Sequence, residues 1–342
     1  MKTRRVLVPC WLALCGASIA ACGEGPVPGG NVDAATDGAL CSSDNWCVEN
    51  PLPNGHSITH GNDLTSGWGV TPTDVWAIGT AGTVMHWDGT EWSWRIPIGS
   101  RELRAIWGAG ADDIWAVGSR GDIFHWIGTE WSSIPAPTTA DLNAVWGVGP
   151  ADVWAVGYET TIIHWDGNAW TSVSVVPPLE TQIALNGIWG SGSTDFWAVG
   201  DIGTIIHWDG STWSVKQQTV NLELNGVWGS GRNDVWAVGG RTGDFVPVFE
   251  HWDGSAWSAT FSATNQVGLA IWGSAADNVY VVGYGVAGRG GDGTASSLIW
   301  HLDGRVIRQM TPPSGIDFLS GVWGIGSDAW AVGSTGILIH HR

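Results

Sequence analysis

Apolar and polar residues alternate along this chain in short runs, and the runs are separated by glycine and aspartate. Leu103 to Trp107 is one such run, Asp113-Ile-Trp-Ala-Val-Gly118 the next and Asp122-Ile-Phe-His-Trp126 the third. A fourth follows Trp131. Each has the length and period of a strand, and no segment keeps a 3.6-residue apolar period for a useful length. Asp88-Gly89, Asp166-Gly167, Asp209-Gly210, Asp253-Gly254 and Asp303-Gly304 fall between the third and fourth runs. Asp-Gly there supplies the positive φ of a tight hairpin.

The four-run unit repeats. Its opening Trp recurs at Trp68, Trp107, Trp146, Trp189, Trp228, Trp272 and Trp323, at spacings of 39, 39, 43, 39, 44 and 51. Four-stranded units of this length predict propeller blades, so the expected fold is an all-β, seven-bladed β-propeller. The seventh copy has Trp323, Trp330 and His340 but no fourth run before Arg342. Near the other end, Asn45-Trp46-Cys47 with Pro51-Leu-Pro53 matches Glu130-Trp131-Ser with Pro135-Ala-Pro137. The Trp46 segment is therefore expected to complete the last blade and leave no strand edge open.

Residues 1–21 read as an export signal. Lys2, Arg4 and Arg5 precede an apolar stretch from Val6 to Ala20 that is too short to span a bilayer. Residues 22–40 are rich in Gly, Pro, Ala and Asp, lack aromatics, and read as a flexible tether. The propeller is expected to occupy residues 41–342. Cys10 and Cys15 fall within the signal, which leaves Cys22, Cys41 and Cys47. Cys41 and Cys47 read as a disulfide in an exported protein. A metal site is the alternative, with His56 and His60 as further ligands.

Two resemblances bear on these readings. Ile19-Ala20-Ala21-Cys22 resembles the lipobox of bacterial lipoproteins. That resemblance implies cleavage before Cys22, a diacylglycerol thioether and an acylated amino terminus, palmitate included. Gly23, rather than Asp, implies the outer membrane. The runs Leu-x-Gly-Val-Trp-Gly, Asp-Val-Trp-Ala-Val-Gly and Gly203-Thr-Ile-Ile-His-Trp-Asp-Gly-x-x-Trp213 resemble BNR-like propellers of the photosystem II assembly-factor type. They are more similar still to Trp-rich propeller lipoproteins of soil-dwelling predatory bacteria. The first group has two glycines after the Asp, where this chain has only Gly210 after Asp209. No chlorophyll-related role is implied. The wider family includes sialidases, but their arginine triad and catalytic set have no counterpart here.

Composition narrows the function classes. The formal net charge is −18, and loss of Lys2, Arg4 and Arg5 with the signal leaves 32 acids against 11 bases, or −21. Only Lys216 then remains as a lysine, which argues against nucleic-acid binding and against docking on anionic lipid. A self-repelling monomer is expected, held to the membrane through its lipid alone. The 27 Trp are expected to pack between blades. A buried Trp removes about 150–250 Å² from water, roughly 4–6 kcal/mol before entropy is subtracted. His86, His125, His164, His207, His251, His301 and His340 hold one position in all seven copies. One per blade, they are too far apart to share a metal. A hydrogen bond to the repeat Asp (Asp74, Asp113, Asp152, Asp195, Asp234) is expected instead. No cofactor or metal is expected.

Function is sought where the copies differ. The fifth copy has five extra residues within 240–250, the sixth eleven within 284–300, and the third four between Trp170 and Trp189. Connections between strands two and three, and between blades, share one face of a propeller, which becomes the expected binding face. Its candidate contacts are Arg241, Asp244, Arg289 and Asp292 in the long loops and Arg120, Asp122, Glu159 and Asp201 in the short ones. Trp94 and Trp300 break the Trp pattern and are candidate exposed aromatics. The leading expectation is a lipid-anchored envelope module that binds a protein or glycan. The alternative is a glycosidase or lyase with its pocket at the channel mouth, although no carboxylate pair stands out from the repeat. A purely structural envelope role is the third.

Overall fold

The structure is a computed structural model that describes residues 41–49, 62–95, 101–179, 182–261, 265–286, 295–304 and 306–341. These belong to one compact unit, Gly38–Arg342. Their strands form seven separate antiparallel sheets of four, the seven-bladed β-propeller that the alternation predicts. The third blade is typical: Leu142–Gly149, Asp152–Gly157, Thr161–Trp165 and Trp170–Ser172 run from the innermost strand outward. The Asp-Gly turns behave as expected, with Gly89, Gly167, Gly210, Gly254 and Gly304 at φ between +86° and +95°.

The Trp-Gly pair that opens each unit is a device for blade contact. A Cβ built on Gly108 would lie 2.6 Å from the Trp68 ring of the preceding blade, and one on Gly147 2.6 Å from the Trp107 ring. Gly229, Gly273, Gly324 and Gly67 receive Trp189, Trp228, Trp272 and Trp323 in the same way. Trp146 instead donates its indole N–H to the Gly190 carbonyl at 3.1 Å. Six of the seven innermost Trp thus lie on the backbone of the next blade, so close that only glycine fits there.

Further out, a second aromatic contact repeats. Trp115 stacks on His125 of its own blade at 3.9 Å and 11°. It also meets Trp165 at 5.0 Å and Trp170 edge-on at 5.4 Å in the following blade. Trp76, Trp154 and Trp197 repeat the arrangement with Trp126 and Trp131, Trp208 and Trp213, and Trp252 and Trp257. The fifth-to-sixth interface departs from it. Leu302 and Ile307 occupy the two tryptophan positions of the sixth blade and pack near Trp236.

The ring closes through Trp46–Glu49. This strand pairs antiparallel with Leu338–His341, in the register Trp46 to His341 and Glu49 to Leu338. Trp46 is fully buried and meets the sixth-blade Tyr280 edge-on at 5.6 Å. Asp44 accepts a hydrogen bond from the Thr311 amide at 2.6 Å. That bond is the first cause holding the Asp44 carboxyl below the usual range. Cys41 and Cys47 are joined in a disulfide beside the closing strand. His56 and His60 lie outside the described residues.

Replacing Trp46 with Ala should cost about 3–5 kcal/mol in a urea unfolding experiment, as for other buried aromatics. Trp94→Ala, at a residue 43% exposed, should stay within about 0.5 kcal/mol. Equal midpoints for the two variants would show that the closing strand carries no stability.

Candidate functional site

The repeated histidines are structural in their surroundings. His Nε2 lies 2.8 Å from Asp74 at His86, 2.6 Å from Asp113 at His125 and 2.9 Å from Asp152 at His164. It lies 2.7 Å from Asp195 at His207 and 2.7 Å from Asp234 at His251. In the sixth blade Asn278 replaces the acid and pairs with His301 at 2.9 Å. Without a carboxylate there, burial first, and then Arg308, push the His301 pKa down. In the seventh, His340 Nε2 is 3.9 Å from Asp328, an ion-pair distance only. Burial pulls the Asp195 carboxyl up, but hydrogen bonds from His207 and Ser191 outweigh it and the net shift is downward. Among the described residues no three His, Cys, Asp or Glu groups converge as metal ligands.

The face carrying the loops is built differently. Five short turns between second and third strands reach a left-handed tip at Ala81, Arg120, Glu159, Ile202 and Thr335, with φ from +54° to +59°. Most turn tips of this kind take Gly, Asn or Asp; Ile202 is β-branched and is held there at a cost of about 1–2 kcal/mol. Each turn is tied to the entry of the next blade, as where the Arg120 amide donates to Asp141 at 2.7 Å.

Inside these turns runs a polar belt that sequence reasoning missed. Ser320 Oγ donates to the Leu64 carbonyl at 2.8 Å, Thr65 Oγ1 to Leu103 at 2.7 Å and Asn143 Nδ2 to Leu185 at 3.0 Å. Asn186 donates to Leu224 at 3.1 Å and Asn225 to Gly268 at 2.9 Å. Arg104 reaches Asn143 at 2.7 Å and pairs with Asp141 at 3.0 Å and Glu102 at 3.2 Å. The signal was present in the recurring Leu-Asn that precedes three of the opening tryptophans.

The candidate contacts separate on this face. Asp122 accepts from Arg101 at 2.8 Å. Arg241 and Asp244 close on each other, with Nε to Oδ1 at 2.9 Å. Asp201 accepts from the Ala184 amide at 3.2 Å and from Asn186 at 3.3 Å. Glu159 is exposed at its turn tip. Arg289 and Asp292 lie outside the described residues. Trp300 is a correction: it is 3% exposed and lies edge-on to Phe249 at 5.8 Å. It pairs with Val281 at the register position that Met85, Phe124, Ile163, Ile206 and Ile339 hold in other blades, so its ring faces the adjoining blade. It borders a cleft of about 270 Å³ between the outer strands of the fifth and sixth blades, with Phe261 and Ile307.

Among the described residues two acids are shifted upward from the ordinary carboxylate range. Glu250 takes that same inward position in the fifth blade and is 2% exposed. Burial pushes its pKa up, while a 3.0 Å hydrogen bond from Gln217 only partly offsets this. Glu223 pairs with Asp201 through a backbone bridge, and burial first, then the Asp201 charge, raise its pKa too. Comparing the copies position by position would have marked Glu250 as the one charge in an apolar column.

No protein-family model matches the chain, and no curated protein matches it. Solved structures share its fold. YCF48 bound to a D1 peptide superposes at TM-score 0.65 with 16% identity, over 89% of this chain and 99% of that one. YCF48 from Cyanidioschyzon merolae gives 0.63 and 16%, over 87% and 98%. The WD40 propeller domain of Doa1 gives 0.61 and 10%, over 84% and 96%. At such identities the likeness establishes the propeller architecture.

A raised folded pKa at Glu250 means that its contribution to stability is full below the ordinary value of 4.5 and is lost as pH rises through the folded value. Glu250→Gln should therefore raise stability by about 1–3 kcal/mol at neutral and mildly alkaline pH and much less in acid. Thermal melts across pH check this, and an equal gain at every pH would refute it. His164→Ala should cost about 1–3 kcal/mol in the same melts, because Asp152 then keeps only the Trp154 indole N–H as a side-chain donor.

Proposed function

We propose that this chain is a lipid-anchored cell-envelope propeller that works as a protein-binding scaffold. One observation carries the reading. The strand contacts, aromatic stacks and Asp–His pairs repeat from blade to blade, while the length differences fall on a single face. His251 lies 17 residues from its Asp and His301 23 from its Asn, against 12 in the first four blades. A surface that varies on a constant frame is where recognition is built. YCF48, a propeller of this fold, takes a D1 peptide, which supports a peptide or protein ligand over a glycan. The lipobox-like Ile19 to Cys22 supports the anchor and an outer-membrane address, and the charge supports a monomer.

A carbohydrate-active enzyme is the second reading. The observation in its favour is Glu223, which burial and the nearby Asp201 charge shift toward its protonated form.

Cys22→Ala should move the protein from the membrane to the soluble fraction and abolish labelling with palmitate; retention of both would remove the anchor. Affinity capture from membranes, run beside a glycan array, should return a protein partner. Glycan turnover that disappears in Glu223→Gln would decide for the enzyme instead.

A further inference from the structure

Four exposed apolar residues of the loop face, Tyr158, Ile202, Val220 and Phe245, lie along one arc. Ile202 tips the fourth-blade turn at φ +56° and is 37% exposed, so a strained position is held without burial in return. Phe245 tips the fifth-blade loop at φ +53° and is 41% exposed. Val220 lies between them at 73%. Backbone hydrogen bonds link the segments that carry the three. The Thr219 amide donates to Ile202 at 2.8 Å, the Thr242 amide to Asn221 at 2.8 Å and the Gln266 amide to Phe245 at 2.7 Å. On the other side the Asp201 amide donates to Ala184 at 3.0 Å and the Thr160 amide to Ile183 at 2.7 Å, which extends the arc to Tyr158. Val70 and Val148, near the ends of their strands, and Ile127 and Val306, on turns, are exposed on the opposite face.

Carboxylates that lack an ion-pair partner lie along the arc. Glu159, Asp201 and Glu223 line it, and none of them makes an ion pair among the described residues. Two cations near the arc are already paired: Arg241 with Asp244, and Arg104, over the Tyr158 ring at 5.6 Å, with Glu102 and Asp141. An apolar surface edged with unpaired carboxylates favours apolar side chains that bring their own positive charge. It repels anionic headgroups and phosphate backbones. We infer that Ile202, Val220 and Phe245 form the docking surface for a partner-protein segment carrying aliphatic or aromatic side chains beside Lys or Arg. The inference rests on the protein-binding reading and names the chemistry of its ligand.

The test uses the full chain and short synthetic peptides of three compositions: Leu with Lys, Leu with Glu, and Ser with Lys. Binding is followed by fluorescence anisotropy at low and high salt. The Leu-Lys peptides should bind about tenfold or more tightly than either control and weaken with salt. Asn accepts the left-handed region, so Ile202→Asn with Phe245→Asn should keep or raise the melting temperature. The same pair should weaken Leu-Lys binding about tenfold or more. Leu-Lys peptides that fail to bind the unaltered chain, that bind the double variant equally well, or that bind no better than Leu-Glu would overturn the inference. So would flotation with phosphatidylglycerol vesicles that depends on Ile202. If the double variant still captures the membrane partner, this surface is wrong and the scaffold reading stands. If the unaltered chain captures no protein at all, the scaffold reading itself fails.

Discussion

Everything in this molecule depends on each blade finding the backbone of the next. The contact is made twice on the innermost strands, once by an indole seated on a glycine and once by a polar side chain donating to a main-chain carbonyl. The first contact is apolar and demands close approach; the second is directional and fixes how far the blades slide on one another. Together they convert a run of small sheets, each too thin to bury its own faces, into a ring whose cores lie between blades. Such a ring has value only when closed, because an open end exposes both the aromatic face of one blade and the strand edge of another. Closure here falls to four residues from the far end of the chain, and they are held from two sides: by the ladder to Leu338–His341 and by Trp46 and Asp44 against the sixth blade.

Much of this was legible in the sequence, because repetition is a strong signal. The second strand expected at Asp113–Gly118 is the strand observed, and Trp46 was readable as the closing strand from its likeness to Trp131. The Asp–His pairs followed from a spacing that holds in the first four blades. What was not legible depends on which neighbour a side chain meets. Trp300 looked like an outlier among the tryptophans and so like a surface residue. Strand register places it in the column of Ile163 and Ile206, where a larger ring fills room left by the absent Trp pair of its blade. Glu250 was missed for the opposite reason. Its charge suits a surface, and only its register with Ala237 shows that it points between blades. The engagement of the loop charges with Asp244, Arg101 and Asn186 depends on the fold of the turns, which residue type alone does not specify.

The frame and the variable face are separable because they use different parts of each blade. The four-strand ladder, the Trp-Gly contact and the Asp–His pair fix distances inside the ring and are indifferent to what the connections carry beyond their anchoring hydrogen bonds. The turn tips can therefore be Ala81, Arg120, Glu159, Ile202 or Thr335 on nearly identical backbone. That tolerance matters for Ile202. A backbone set by neighbouring blades imposes the left-handed conformation whatever the residue, so an unfavourable side chain costs stability without distorting the turn. It persists only while the rest of the ring supplies the difference.

The fifth and sixth blades show how the frame absorbs departure. Their interface lacks two of the tryptophans that fill the other outer seams, and a cleft beside Trp300 and Phe261 results. The same two blades have the longest innermost strands, Leu222–Gly231 and Gln266–Ala275, ten residues each against the eight typical of the first four blades. Their second strands, Asp234–Arg241 and Asn278–Val286, are extended too. Aromatic mass lost at the outside is thus accompanied by added ladder near the loop face, where Asn225 and Gln266 also tie the blades together. Extra residues inserted between the second and third strands lengthen the hairpin before they form a loop, so an insertion first adds paired backbone and only then adds free surface. Growth of this kind extends the ladder of the two blades while reinforcing the seam between them, the seam where Leu302 and Ile307 stand in place of the tryptophan pair.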